Sequence, residues 1–167
     1  MGADNKDERV PEPDLAGAGA GLRVAVVCGR FNSHVTLRLL DGVRRGLEHC
    51  GVAEIEESWV AGAFEIPLAA KTYAATGRWD AVIAVGCVIR GDTAHFEYVA
   101  GQCAEGLQRV GLDTGVPAIF GVLTTETLEQ ALERSEGPGG HNVGEEGART
   151  AVEMSRLLAS VRGDRPQ

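Results

Sequence analysis

The sequence has 167 residues, of which 24 are acidic and 16 basic, so its formal net charge is −8. This length suits one domain with a substantial core, and no cluster of Lys and Arg forms the basic stripe that a nucleic-acid binder needs. The residues up to Arg9 lack the apolar core of a signal peptide, and no apolar run reaches membrane-spanning length. We therefore expect a cytoplasmic protein that binds neither nucleic acid nor membrane.

The four cysteines lack any spacing that is typical of a zinc site. They are Cys28, Cys50, Cys87 and Cys103. We interpret them as small core residues or bystander thiols rather than disulfides, and we expect no metal site.

Residues 1–21 are rich in Pro, Gly, Ala and charge and offer almost nothing to pack, which predicts a flexible N-terminal arm. Such an arm could still become ordered against a neighbouring subunit. A flexible C-terminal tail is predicted over residues 162–167, so that one folded domain occupies residues 22–161.

The first buried-strand pattern covers residues 22–28, which are almost entirely apolar and rich in valine. A helix is predicted next, with Asn32 or Ser33 as its N-cap and Gly51 as its stop. Phe31 lies just past the carboxyl end of the strand, where open α/β sheets bind ligands. Its ring could stack on a planar heterocycle, or it could only pack under the loop.

A weaker strand pattern over residues 55–59 leads into residues 60–67, whose small side chains let the backbone approach a ligand closely. Pro67 suits the first turn of a helix that continues through residues 71–76. Glu65 could accept hydrogen bonds from hydroxyl groups, or it could only favour the helix start electrostatically. The sequence leaves both alternatives open.

Residues 80–86 form a second, nearly unbroken apolar run that predicts a strand buried on both faces. Apolar residues then recur at three- and four-residue steps from residue 96 to residue 110, which predicts an amphipathic helix.

A polar turn joins this strand to this helix and carries three candidate site residues. The N–H groups and the dipole of the first helical turn could receive an anion such as phosphate near Asp92 and Thr93, although both residues also suit ordinary capping. Histidine titrates closest to neutral pH among the side chains, so His95 is a candidate general acid–base, whereas most isolated histidines are only solvated or hydrogen-bonded.

A further strand is predicted over residues 117–123, followed by a short helix over residues 128–132 that has Arg134 near its end. An arginine fork suits a phosphate, although a solvated arginine that complements a helix C-terminus is more common. Gly and Pro fill half of residues 135–144, which predicts a loop, and a last helix follows over about residues 145–160. Alternating strands and helices predict a parallel sheet covered by helices on both faces.

Four motifs occur along the chain in an order that resembles the lumazine synthase family. They are GRFN at 29–32, GAFEIP at 62–67, GCVIRGDTAHFEY at 86–98 and PAIFGVLTTE at 117–126. The likeness covers roughly residues 22–158. It implies a flavodoxin-like three-layer sandwich with a central four-stranded parallel sheet, assembled into a homopentamer or a pentamer-based assembly whose active sites lie between subunits.

The resemblance also implies a reaction of riboflavin biosynthesis. In it, 5-amino-6-(D-ribitylamino)uracil condenses with 3,4-dihydroxy-2-butanone 4-phosphate to give 6,7-dimethyl-8-ribityllumazine, phosphate and water. No cofactor is added.

Carried over by position, the residues of this chain take the following expected roles. Phe31 would stack on the pyrimidine ring. The residues that would hold the ring and the ribityl chain are Ala63, Phe64 and Glu65. Those that would line the floor of the pocket are Cys87, Val88 and Ile89.

The remaining expected roles concern phosphate and proton transfer. Asp92 and Thr93 would lie at the phosphate end together with Arg134. His95 would move protons, and Phe120 would come from the adjacent subunit.

The loop after Arg134 departs from the family pattern. Many members read Gly-Asn-Lys-Gly here, with the lysine close to phosphate, whereas this chain reads His141-Asn-Val-Gly144 and is slightly longer. Val143 cannot supply that positive charge, although Arg134 or His141 could compensate. A paralogue with a changed substrate, one that binds flavin-like ligands without turnover, and a chiefly structural shell subunit therefore remain alternatives. The longer connection around Pro138 resembles the insertions of family members that form free or paired pentamers, so the resemblance favours these assemblies over a sixty-subunit cage.

Overall fold

The computed structural model describes residues 9–163. Its centre is a four-stranded, wholly parallel sheet with the strand order β2-β1-β3-β4. The strands are β1 (Arg23–Gly29), β2 (Glu54–Val60), β3 (Ala81–Ile89) and β4 (Ala118–Thr125). The helices are α1 (Ser33–His49), α2 (Ile66–Ala75), α3 (His95–Thr114), α4 (Leu128–Leu132) and α5 (Val143–Arg162), and a 3-10 turn over Ala63–Glu65 precedes α2.

Helices cover both faces of the sheet. On one face α1 and α5 pack on the central strands in a cluster that contains Leu40, Ile83 and Ala151. On the other face α2 and α3 form a second cluster around Ala84 and Leu107. Burial on both faces explains why β1 and β3 are almost continuously apolar, and it confirms the predicted three-layer α/β fold.

The segment before β1 is attached to α1 and α5. The N–H of Gly19 donates to the carbonyl of Cys50 at 2.6 Å, and the guanidinium of Arg156 donates to the carbonyl of Ala20 at 2.8 Å. Leu15 packs against the core between α1, α5 and the sheet. This packing differs from the expectation that the arm has almost nothing to bury.

The boundaries of the arm, the domain and the tail stay predictions, because both ends of the chain lie partly outside the described residues. Residues 1–8 of the predicted arm and residues 164–167 of the predicted tail lie outside the described residues. Arg162 is still helical and donates to the carbonyl of Gly115 at 2.6 Å, so the folded part continues one residue past the expected boundary at residue 161.

Helix α5 begins at Val143, earlier than the expected start near residue 145, because Asn142 caps it. The Oδ1 of Asn142 accepts the N–H groups of Gly144 and Glu145, and its Nδ2 donates to the carbonyls of Arg38 and Glu136. This amide is 2% exposed. Four hydrogen bonds to one buried amide fix the loop after Arg134 against α1.

No helix within residues 9–163 is both long enough and apolar enough to cross a bilayer.

Candidate active site

Most of the predicted site residues gather at the carboxyl edge of the sheet. Phe31 follows β1, the turn Ala63–Glu65 follows β2, His95 begins α3 after β3, and Arg134 follows β4 through α4. The carboxyl ends of parallel strands meet at one edge, which is where open α/β sheets bind ligands.

Phe31 lies over the bare backbone of Gly62. A Cβ at position 62 would lie 2.9 Å from Cδ2 of Phe31 and 3.5 Å from Oε2 of Glu65. The ring is 74% exposed, although the N–H of Phe31 is held by the carbonyl of Ala61 at 3.3 Å. An exposed aromatic face beside a carboxylate disfavours the alternative that Phe31 only packs under the loop, and it suits a planar heterocycle that carries hydroxyl groups.

Two of the three candidate residues in the 3-10 turn have exposed side chains, and the third is buried. Ala63 is 6% exposed and packs into the α2/α3 cluster, whereas Phe64 is 57% exposed and Glu65 is exposed. Glu65 occupies the N-cap position of α2, but its carboxylate makes no capping hydrogen bond. The exposed carboxylate is therefore able to accept hydrogen bonds from hydroxyl groups.

The three expected floor residues do not share one face of the sheet. Side chains alternate along β3, so Cys87 and Ile89 pack with the α1/α5 cluster, whereas Val88 packs with the α2/α3 cluster that contains Ala63. Of the three, Val88 alone therefore has its side chain in the layer of the 3-10 turn. Burial raises the pKa of the Cys87 thiol to about 11, so this thiol stays protonated at neutral pH.

The carbonyl of Cys87 has a defined partner in the loop after β1. It accepts a hydrogen bond from Nδ2 of Asn32 at 2.9 Å. We expected Asn32 or Ser33 to cap α1; Asn32 does occupy the N-cap position, but its side chain makes no capping hydrogen bond. Its amide instead joins the ends of β1 and β3.

The turn after β3 is exposed at each of its candidate residues, Asp92, Thr93 and His95. Neither Asp92 nor Thr93 is the N-cap of α3, because Ala94 holds that position without a side-chain hydrogen bond. Thr93 Oγ1 accepts the N–H of His95 at 3.3 Å. His95 is thus the first residue of a long helix whose N-terminal N–H groups lie at the open edge of the sheet.

Arg90 ties this turn to the neighbouring strand through contacts that no local sequence pattern indicates. Its Nε lies 2.6 Å from Oε2 of Glu126, its Nη1 pairs with Glu97, and its guanidinium carbon lies 4.2 Å from the ring centroid of Phe96. The pKa of Arg90 is raised mainly by its hydrogen bond to Glu97 and next by its hydrogen bond to Glu126. The same hydrogen bond from Arg90 lowers the pKa of Glu97. Arg90 thereby fixes the start of α3 against the end of β4.

Arg134 is partly engaged by its own helix. Its Nη1 donates to the carbonyl of Gln130 at 2.8 Å and lies 3.5 Å from Oε2 of Glu133. This is the helix-complementing arrangement that we considered as the alternative to phosphate binding. A guanidinium carries five donors, so this contact leaves Arg134 able to bind phosphate as well.

Val143 is directly adjacent to Arg134. The N–H of Val143 donates to the carbonyl of Arg134 at 3.0 Å, and the Val143 side chain packs against the α1/α5 cluster. Nε2 of His141 lies 3.2 Å from Oε1 of Glu146. Any positive charge on His141 is therefore balanced locally.

Phe120 lies apart from the Phe31 region within one chain. It faces Ala84 across the β3–β4 pair, well before the end of β4 at Thr125, and it is 40% exposed. Two strand spacings, about 10 Å, separate β4 from β1 across the sheet. A role for Phe120 in the active site of an adjacent subunit stays a prediction.

Two further observations concern ligands. Within residues 9–163, no group of three or more His, Cys, Asp and Glu side chains is arranged to hold a metal ion. A cavity of about 180 Å³ opens between α2 and α3, and its lining includes Pro67, Lys71, Gly106 and Asp113.

The model of the 6,7-dimethyl-8-ribityllumazine synthase family matches residues 21–159. The matched stretch includes all four strands, the 3-10 turn, helices α1–α4 and most of α5.

Proposed function

The chain belongs to the 6,7-dimethyl-8-ribityllumazine synthase family, and from this membership we propose that it catalyses the lumazine-forming step of riboflavin biosynthesis. The substrates are 5-amino-6-(D-ribitylamino)uracil and 3,4-dihydroxy-2-butanone 4-phosphate. The observation that best supports the proposal is the exposed ring of Phe31 over the bare backbone of Gly62 and beside the carboxylate of Glu65.

The reaction requires several proton transfers. The 5-amino group attacks the ketone and forms an imine with loss of water, phosphate leaves by elimination, and ring closure releases a second water. One phosphate and two waters therefore leave for each lumazine formed. A side chain that titrates near neutral pH, placed beside phosphate-binding groups, suits this sequence.

The proposed roles follow the positions described above. Phe31, Phe64 and Glu65 bind the pyrimidine and its ribityl chain, with Val88 beneath them. His95 moves protons to and from the reacting atoms.

Phosphate is bound at the other end of the site. The N–H groups at the start of α3 and the hydroxyl group of Thr93 contact it, and Arg134 supplies positive charge. Asp92 lies in the same turn at this end of the site.

We further propose a pentamer-based assembly in which Phe120 completes the site of a neighbouring subunit. Large apolar side chains are exposed on this chain, among them Phe120, Tyr98, Leu68 and Leu112. Side chains of this kind that are exposed in a single chain are expected to be buried where subunits meet, which supports the proposed assembly. Light scattering should give a mass of five or ten subunits, and a closed sixty-subunit particle would contradict this preference. A cytoplasmic location stays a prediction of the sequence analysis.

Val143 supports a second candidate function. It is an uncharged residue whose N–H binds the Arg134 carbonyl, at the position where many family members carry a lysine. A paralogue that binds pyrimidine or flavin-like ligands without turnover would be compatible with this loss of charge.

One assay separates the two candidates. Purified protein is mixed with both substrates, and the absorbance of the lumazine product is followed over time. Product formation above the uncatalysed rate supports the proposed synthase. Tight binding of a non-reactive ribitylaminopyrimidine without product formation would favour the ligand-binding paralogue.

A further inference from the structure

Asn32 has an unusual backbone conformation. Its φ is 55° and its ψ is 40°, and within residues 9–163 it is the only residue other than glycine with a positive φ. The left-handed region is unfavourable for most L-residues because the Cβ crowds the backbone, although asparagine tolerates it better than most. Backbone strain of this kind concentrates at functional sites.

The contacts of Asn32 connect three elements at the edge of the sheet. Its carbonyl accepts the N–H groups of Val35 at 2.9 Å and Thr36 at 3.1 Å and so starts α1. Its Nδ2 donates to the carbonyl of Cys87 at the end of β3. An asparagine that only capped α1 would direct its side chain to the helix N–H groups, which this one does not do.

These contacts hold Phe31 from both sides. On the β2 side, the N–H of Arg30 donates to the carbonyl of Val60 at 3.0 Å and that of Phe31 donates to the carbonyl of Ala61. On the β3 side, the next residue is fastened to Cys87 through its amide. Phe31 thus lies between two anchored neighbours, which explains how a ring that is mostly exposed keeps one place over Gly62.

We propose that Asn32 is a positioning residue for the pyrimidine substrate: its left-handed backbone and its amide bond to Cys87 together set the Phe31 ring over Gly62. This inference rests on the proposed function. It predicts that Asn32 governs affinity for the heterocycle and has little influence on the phosphate-bearing ketone.

Three substitutions separate the backbone from the amide. Asn32→Gly keeps the left-handed conformation but loses the donor to Cys87. Asn32→Asp keeps much of the backbone tolerance but sets a carboxylate against the Cys87 carbonyl. Asn32→Ala loses both features.

The expected readout is a change in one KM. Loss of one neutral hydrogen bond corresponds to about a fivefold rise in the KM for the pyrimidine in Asn32→Gly. Asn32→Ala and Asn32→Asp should raise that KM further, to roughly twentyfold or more, because strain or repulsion adds to the lost bond. The KM for the ketone should stay within about twofold of the wild-type value in all three variants. Such a change is smaller than the loss of one hydrogen bond would cause.

A matched control introduces the same backbone strain elsewhere. Gly77 has φ +69° with nothing within 4 Å of an added Cβ, and it lies between α2 and the amino end of β3. Gly77→Ala should lower the melting temperature and leave both KM values unchanged.

The test combines turnover with equilibrium binding of a ribitylaminopyrimidine that lacks the reactive amine. If the wild type binds this analogue but forms no lumazine, the proposed function fails. The role of Asn32 is still tested, because affinity for the analogue should fall from the wild type to Asn32→Gly and again to Asn32→Ala. Unchanged pyrimidine affinity in Asn32→Ala would overturn the inference. An equal rise in both KM values, or a wild type that neither turns over nor binds the analogue, would also overturn it.

Discussion

The residues assigned to the pyrimidine are held by backbone contacts, whereas those assigned to phosphate lie on an exposed turn or share their charge with nearby groups. Phe31 is anchored to β2 and faces the bare backbone of Gly62. Asp92, Thr93 and His95 are exposed, and the turn that carries them is tied down by the ion pairs of Arg90. One end of the site is preorganised within a single chain, and the other depends on side-chain electrostatics.

The largest expected effect is at His95. A positioned general acid–base contributes about 10²–10⁴-fold, so His95→Ala should lower kcat by about a hundredfold or more while the pyrimidine KM changes little. Substrate positioning by the preorganised end should leave measurable residual turnover. Steady-state kinetics provide the check, with the exposed His49→Asn as a control that should behave as the wild type. Unaltered kcat in His95→Ala would remove the proton-transfer role.

The preorganised end can be disturbed with a single methyl group. Gly62→Ala places a Cβ 2.9 Å from Cδ2 of Phe31, and φ at this position is −159°, an extended value that alanine adopts freely. The ring must therefore move, and the pyrimidine KM should rise by roughly tenfold, the equivalent of about one or two hydrogen bonds. Gly137→Ala, where no atom lies within 4 Å of the added Cβ, should have no such effect. An unchanged pyrimidine KM in Gly62→Ala would show that the ring position is unimportant.

Phosphate binding should improve when a cation is introduced at position 143, next to the backbone of Arg134. Val143→Lys adds a cation at the residue whose N–H binds the Arg134 carbonyl. A charge-assisted hydrogen bond is worth about 1.5–3 kcal/mol, so the KM for the ketone phosphate should fall about tenfold. This gain should shrink as salt is added, because exposed charges are screened. Val143→Met has a similar length without charge, and an equal gain in Val143→Met would attribute the effect to packing.

The smallest expected effect concerns the ion pair that holds the start of α3. The Arg90 hydrogen bond lowers the pKa of Glu97 below its usual value near 4.5. A lowered folded-state pKa contributes stability that is present above the unfolded-state value and is lost as pH falls through the folded-state value. The wild type should therefore melt at a slightly higher temperature than Glu97→Gln at pH 7, and this difference should shrink and then disappear as the pH falls below the usual carboxyl range.

The expected shift in melting temperature is small because both partners are largely exposed. The exposed Glu153→Gln on α5 serves as a matched charge control. A difference between wild type and Glu97→Gln that grows as the pH is lowered would contradict the assignment.

Much of the fold could be predicted because it is encoded locally. The buried strands β1 and β3 are continuous apolar runs, and the periodicity of α3 is visible in the chain. The start of α5 could not be predicted, since it depends on the amide of Asn142, which reaches the carbonyl of Arg38 on α1. The attachment of the segment before β1 likewise depends on the distant Arg156.

The candidate site likewise contains some features that the local sequence predicts and others that depend on distant contacts. Phe31, Glu65 and His95 were identified because each follows a predicted strand. Cys87 and Val88 face opposite sides of the sheet because β3 continues to Ile89, whereas the apolar run predicts a strand only over residues 80–86. The contacts of Asn32 and Arg90 join residues that are close only in the folded chain, so no local pattern could reveal them.

The most direct test is a two-substrate steady-state analysis of lumazine formation by the wild type, Gly62→Ala and Val143→Lys, with each substrate varied in turn. If the two ends are built independently, Gly62→Ala will raise only the KM for the pyrimidine and Val143→Lys will lower only the KM for the ketone phosphate. If either substitution moves both KM values together, or if the wild type forms no lumazine, the account is contradicted.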